Sequence, residues 1–96
     1  MAELRLSRRA ASDLAEIADY TIAEFGIDQA RRYRDQLQAC FRSLLDNPQL
    51  GRSAKEIAAG LRRIRQQAHV VFYTLGQDQL VIVRVLHHSM DLERGF

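Results

Sequence analysis

The run VIVRVLHHSMD, residues 81–91, sets an arginine among strand-forming aliphatics and closes with two histidines and an aspartate. Such groups can ligate a metal, cleave RNA, or line a surface that a partner covers. Geometry weighs against a metal. Neighbours in an extended strand point to opposite faces, so His87 and His88 cannot readily chelate one ion. No Cys/His spacing in the chain supplies the remaining ligands. RNA cleavage without a metal needs a base for the 2′-hydroxyl, an acid for the leaving oxygen and cations around the phosphorane. His69, Tyr73, Arg84 and His87 are the candidates, with Arg62, Arg63 and Arg65 adding charge from a preceding run. The plainer account of each histidine is a hydrogen-bonded strand-end residue. For Arg84 it is a carboxylate partner, internal or brought by another chain.

Several elements must position these groups. Residues 2–6, AELRL, alternate as a half-buried strand does. Ser7 stands where an N-cap belongs. From Arg8 to Phe25 the positions Leu14, Ile17, Ala18, Thr21 and Phe25 step by three and four, which predicts one face of a helix closed by Gly26. Asp28 is placed to cap a second helix carrying Ala30, Tyr33, Leu37, Cys40, Phe41 and Leu44 at the same spacing. Asn47-Pro48 stops it. Two helices joined by a few residues should form an antiparallel hairpin. Cys40 lies in the apolar stripe, where a packed thiol is expected and no nucleophile. Residues 46–60 read as irregular, with room for a helical turn over 53–58. Strand-like runs follow at 61–65, 69–75 and 79–87, the last two flanking a Gly76-Gln77-Asp78 hairpin turn. From His87 onward the chain is a polar tail. The fold class is α+β, in the order β-α-α-β-β-β, with a helical hairpin packed on one face of a small, mainly antiparallel sheet.

With Gly76 opposite Gln79, one face of the closing hairpin carries Val70, Phe72, Thr74, Val81, Val83, Val85 and His87. The other carries His69, Val71, Tyr73, Leu75, Leu80, Ile82, Arg84 and Leu86. A slip of one residue would reassign them. The first face is the expected seat of the helices. The second is also apolar, and no third long helix is available to cover it. Either a partner or ligand covers that patch, or the tail folds back over it with Met90, Leu92 and Phe96.

Bulk properties narrow the class. With 96 residues, 47 % of them hydrophobic, and one proline, the chain reads as a single ordered domain over residues 1–96. A chain of this size buries roughly 60–68 % of its unfolded surface, leaving little stability to spare. No stretch approaches the length of a membrane span, and no leader segment opens the chain, so a soluble, cytoplasmic protein is expected. A lone cysteine agrees with a reducing compartment. Lys55 is the only lysine among 14 basic residues, so the charge is carried by arginine, suited to carboxylates and phosphates. A net charge of +2 does not by itself argue for nucleic acid.

Five pieces of the sequence together resemble a known family. LSRRAASDLAEIADY (6–20) looks like the opening helix of ParE toxins of the RelE/ParE superfamily, and NPQLG (47–51) like the turn after their second helix. GLRRIR (60–65) is similar to a family strand, and HVVFY (69–73) with IVRVLHHSMD (82–91) to the closing hairpin and the start of the tail. The resemblance implies the toxin of a type II toxin–antitoxin system, neutralised in a hetero-oligomer by a ParD-like antitoxin, and touching DNA only through it. It further implies a DNA gyrase inhibitor that acts by binding, with no cofactor, metal or membrane. A partner covering the second face would meet His69, Val71, Tyr73, Ile82, Arg84 and Leu86. Groups presented to the target at the tail would be His87, His88, Met90, Asp91 and Arg94. The RelE branch cleaves mRNA on the ribosome with a cluster of lysines, arginines and a tyrosine or histidine. With one lysine this chain departs from that pattern. A ribonuclease would have to work with Arg65, His69, Tyr73, Arg84 and His87.

Overall fold

A computed structural model describes residues 2–90. The elements are β1 (Glu3–Leu6), α1 (Arg8–Phe25), α2 (Ile27–Asp46), β2 (Arg52–Ser53), β3 (Arg62–Gln66), β4 (His69–Gly76) and β5 (Gln79–His87). They form one sheet in the order β1-β5-β4-β3-β2. Only the β1–β5 pairing is parallel, and the helices pack on one face. This is the expected α+β architecture with one added strand, β2, in a segment expected to be irregular. The helical turn expected after it is present as the Ala58 N–H to Ala54 carbonyl bond, 3.3 Å.

Local chemistry explains the boundaries. Ser7 caps α1 by accepting from the Ala10 N–H at 2.9 Å, and its hydroxyl donates to the Val83 carbonyl at 2.7 Å, tying the cap to β5. Gly26 takes a φ of 88°, which an L side chain resists, so a single residue suffices to end α1 and start α2. Asp28, expected as the cap of α2, instead lies in its first turn, where its charge complements the helix dipole.

The face assignment is inverted relative to the expectation. Val71, Tyr73, Leu80 and Ile82, each 0 % exposed, form the main core with Tyr33, Leu37, Phe41 and Leu44 of α2 and Ala10 of α1. The helices sit on the face expected to be open. Val70, Phe72 and Leu86 on the opposite face are covered by Ala54, Ile57 and Leu61 from the segment around β2. A short irregular segment covers this face in place of a third helix.

The register also breaks. Gly76 opposes Gln79 as expected, and the pairing runs in step to Tyr73↔Ile82, but Phe72 then pairs with Arg84. The extra residue is a β-bulge, and it flips the parity of everything beyond it. Val85 therefore points into the helix-side core and Leu86 into the outer one. His69 and His87, expected on opposite faces, become direct cross-strand partners.

Candidate functional site

The bulge lies beside the shortest ion pair among the described residues. Asp13 of α1 accepts from Arg84 Nε at 2.8 Å and Nη2 at 3.0 Å, with both side chains 11 % exposed. The same carboxylate takes the Val85 N–H at 2.9 Å. β1 stops pairing with β5 at Ile82, so Asp13 supplies the acceptor that a longer β1 would have provided. The hydrogen bonds to Asp13 raise the Arg84 pKa, and desolvation opposes them. Sequence reasoning missed Asp13, although its place between Ala10 and Ile17 on the inward helical face was a visible signal.

At the end of the sheet three histidines meet. The His69 and His87 rings are edge-on with centroids 5.5 Å apart, and His88 stacks on His87 at 4.6 Å. His69 Nδ1 lies 2.5 Å from the Tyr33 hydroxyl, which also reaches the Gln66 carbonyl at 3.1 Å. A neutral His69 with its proton on Nδ1 lets both bonds form, since Tyr33 then accepts one and donates the other. Burial, with the neighbouring charges of His87 and His88, lowers the His69 pKa to about 4. Burial raises that of Tyr33 and of the Cys40 thiol. His87 is exposed and bonds through Nδ1 to the Ser89 hydroxyl at 2.6 Å.

The expected site residues divide sharply. Tyr73 is fully buried, donating to the Pro48 carbonyl at 2.8 Å and accepting the Gly51 N–H at 2.9 Å. It is the anchor of the 47–51 turn. Val71, Ile82 and Leu86 are core residues, and Arg84 is engaged by Asp13. The apolar face expected to meet a partner is therefore internal, with His69 and Arg84 of that set keeping partial exposure. His87, His88 and Met90 are exposed, whereas Asp91 and Arg94 lie outside the described residues. Arg65 is exposed and donates from Nε to the Gln67 carbonyl at 2.6 Å.

Apolar surface remains elsewhere. A groove of about 330 Å³ runs between α1, α2 and β1, lined by Leu6, Leu14, Ile17, Ala18, Ala30 and Phe41 with Arg34 and Arg42 beside them. On either side of the Gly26 junction Phe25 is 65 % and Ile27 52 % exposed, so the end of the apolar stripe on α1 is not consumed by the fold. Among the described residues no helix is long and apolar enough to cross a membrane.

Residues 4–92 match the family described as the ParE toxin of the type II toxin–antitoxin system parDE. Toxin ParE1 of Caulobacter vibrioides is 41 % identical over 91 residues, covering 95 % of this chain and 94 % of that one. Toxin ParE1 of Mycobacterium tuberculosis is 39 % identical over 91 residues, covering 94 % and 93 %. Among solved structures, the chromosomal ParDE system from P. aeruginosa superposes with a TM-score of 0.79 at 19 % identity, over 91 % of this chain and 96 % of that one. At that identity the superposition speaks for the fold.

Proposed function

This chain belongs to the ParE toxin family of type II toxin–antitoxin systems, and from that premise we propose that it acts in the cytoplasm, inhibits DNA gyrase by binding it, and is neutralised by a ParD-like antitoxin. The whole chain serves as one toxin domain. The observation that carries a binding mechanism over a cutting one is the fate of Tyr73 and Arg84. Both are tied into the fold, one under the 47–51 turn and the other on Asp13. Tyr73 is enclosed by the fold, and Arg84, which lines a cavity with His69 and His87, has its guanidinium engaged by Asp13.

The antitoxin contact moves with the inverted faces. An amphipathic segment would lay apolar side chains along Leu6, Ile17 and Ala18 in the groove on the helices, with carboxylates near Arg42. Ordering that segment on binding costs entropy, which burial of the groove offsets.

One observation favours a second reading, a RelE-like ribosome-dependent mRNA endonuclease. His69, His87 and His88 gather at one sheet end, and His69 is neutral at physiological pH. The deciding experiment sets purified chain against gyrase in a supercoiling assay and against ribosomes in a translation assay. Inhibited supercoiling with intact mRNA, relieved by the candidate antitoxin, is the expected result. Codon-specific mRNA cuts with unaffected gyrase would replace this reading with the second.

A further inference from the structure

β1 is an outermost strand of the described sheet, with β5 on one side only. Its pairing with β5 fixes where each backbone group points. The Glu3 N–H donates to the Asp78 carbonyl and the Ser7 N–H to the Ile82 carbonyl, both at 2.9 Å. The two-residue period then turns the backbone groups of Glu3 and Arg5 toward β5, and those of Ala2, Leu4 and Leu6 to the open side. An edge of this kind offers its donors and acceptors to another strand.

The side chains of β1 divide between the faces. Leu4 and Leu6 line the groove on the helix side, and Leu6 is left 45 % exposed. Glu3 and Arg5 lie on the outer face and are exposed, and among the described residues neither takes part in an ion pair. Edge strands are commonly blunted by a proline, a bulge or charge. This one, ELRL, has no proline, and its register with β5 is unbroken. Its two charges are of opposite sign and two residues apart, so the strand complements itself when turned end for end.

We propose that β1 pairs antiparallel with β1 of a second copy of this chain, about a two-fold axis at Leu4, so that one sheet runs through both copies. Directly opposed residues in an antiparallel pair either exchange hydrogen bonds or both point away, so Ala2, Leu4 and Leu6 face only one another across the axis. With Leu4 opposite its own copy, Leu6 faces Ala2 and Glu3 faces Arg5 of the second copy. Symmetry makes that ion pair twice, at the positions where opposed side chains stand closest. Moving the axis to Arg5 sets the arginine against itself, and like charges directly opposite destabilise the pairing. Charge therefore selects the register. The two Leu4 side chains then meet on the helix side, beside the exposed Leu6. An extended segment of another protein would need a sequence complementary to ELRL, which this strand itself already has. A strand of 4 residues buries little area, so the dimer is weak and forms with rising concentration.

The test is sedimentation velocity of the purified full chain over a wide range of concentration at low salt, where the parent is expected to pass from monomer to dimer. E3R and R5E, each at an exposed position with unchanged melting, set like charges across the axis and should each weaken self-association roughly tenfold. The double variant E3R/R5E should self-associate again. An equimolar mixture of E3R and R5E should dimerise like the parent, because the positive strand of one then faces the negative strand of the other. In the dimer the Leu4 and Leu6 amides should exchange more slowly, while the Arg5 amide, already turned to β5, should not change. The proposal is overturned by a chain that stays monomeric, by a mixture that fails to dimerise, by self-association indifferent to both charge reversals, or by a dimer with unprotected Leu4 and Leu6 amides. That last result would move the contact to another surface, such as Phe25 and Ile27 at the helix junction. No target or antitoxin enters the measurement, so its outcome leaves the toxin reading where it stands.

Discussion

Asp13 and Arg84, 71 residues apart, meet through two hydrogen bonds of 2.8 and 3.0 Å, and the same carboxylate closes the Val85 N–H at 2.9 Å. One side chain thus joins the first helix to the bulged part of β5 and satisfies a strand edge that β1 is too short to reach. An arginine within an aliphatic strand is explained by this pairing without invoking catalysis.

Replacing Asp13 with alanine takes two hydrogen bonds from a mostly buried cation and leaves the buried Val85 N–H without its acceptor, and should cost about 3 kcal/mol. The double variant Asp13→Leu/Arg84→Met should recover the part of that loss due to the buried cation, because two matched apolar groups need no partner, while the Val85 N–H stays without its acceptor. Urea melts of the three proteins check both values. A double variant no better than Asp13→Ala would show that the pair is not the source of the cost.

Tyr73→Phe should destabilise by about 2 kcal/mol, since the Gly51 N–H and Pro48 carbonyl both lose their side-chain partner. Gly51→Ala should cost at least as much. A Cβ there would collide with the Tyr73 ring hydroxyl and lie 2.7 Å from the Arg63 carbonyl, which is backbone and cannot swing away. Amide exchange at Gly51 should accelerate in Tyr73→Phe well before global unfolding.

His69 sets a pH dependence. The unfolded chain takes up this proton near pH 6.5, whereas the folded chain resists until about 4. The unfolded state therefore binds more protons in that window, and stability falls as pH drops from 6.5 toward 4. Discounted for partial exposure, the loss should be ~1–2 kcal/mol. Denaturant midpoints at pH 7.5 and 4.5 measure it, and His69→Gln should flatten that part of the profile.

His87→Ala removes the exposed imidazole and any proton transfer it could perform. For a toxin that acts by binding, growth inhibition should stay within about tenfold of the parent, the scale of one rim contact. Loss of a general acid or base typically costs ~10²–10⁴-fold in rate. A colony-survival assay under titrated expression reads the difference.

Ala18→Glu places a carboxylate in the groove on the helices at an exposed position of α1. It should weaken antitoxin binding by tenfold or more, given the cost of burying an unpaired charge, while changing stability by under about 1 kcal/mol. Ile82→Ala should do the opposite, losing about 3 kcal/mol in a urea melt, because Ile82 is 0 % exposed in the helix-side core. Binding titrations with the two variants test whether the inverted faces are correct.

The helices, their glycine junction, the hairpin turn and the α+β order follow from local information. Apolar spacing of three and four, a serine cap at Ser7, Gly26 and the residues flanking Asp78 are each decided within a few neighbours. The face that meets the helices was not legible, because the hairpin is apolar on both sides and alternation gives no preference between them. Nor was the bulge at Val83–Arg84, whose single extra residue reversed the parity that put His69 and His87 apart. Two long-range contacts decide both matters: Asp13 capping β5 on one side, and Ala54 and Leu61 closing over Phe72 on the other. The types of group in the site were therefore readable from the sequence. Which of them stand exposed and which lie buried is set by contacts between residues far apart in the chain, and periodicity carries no information about those.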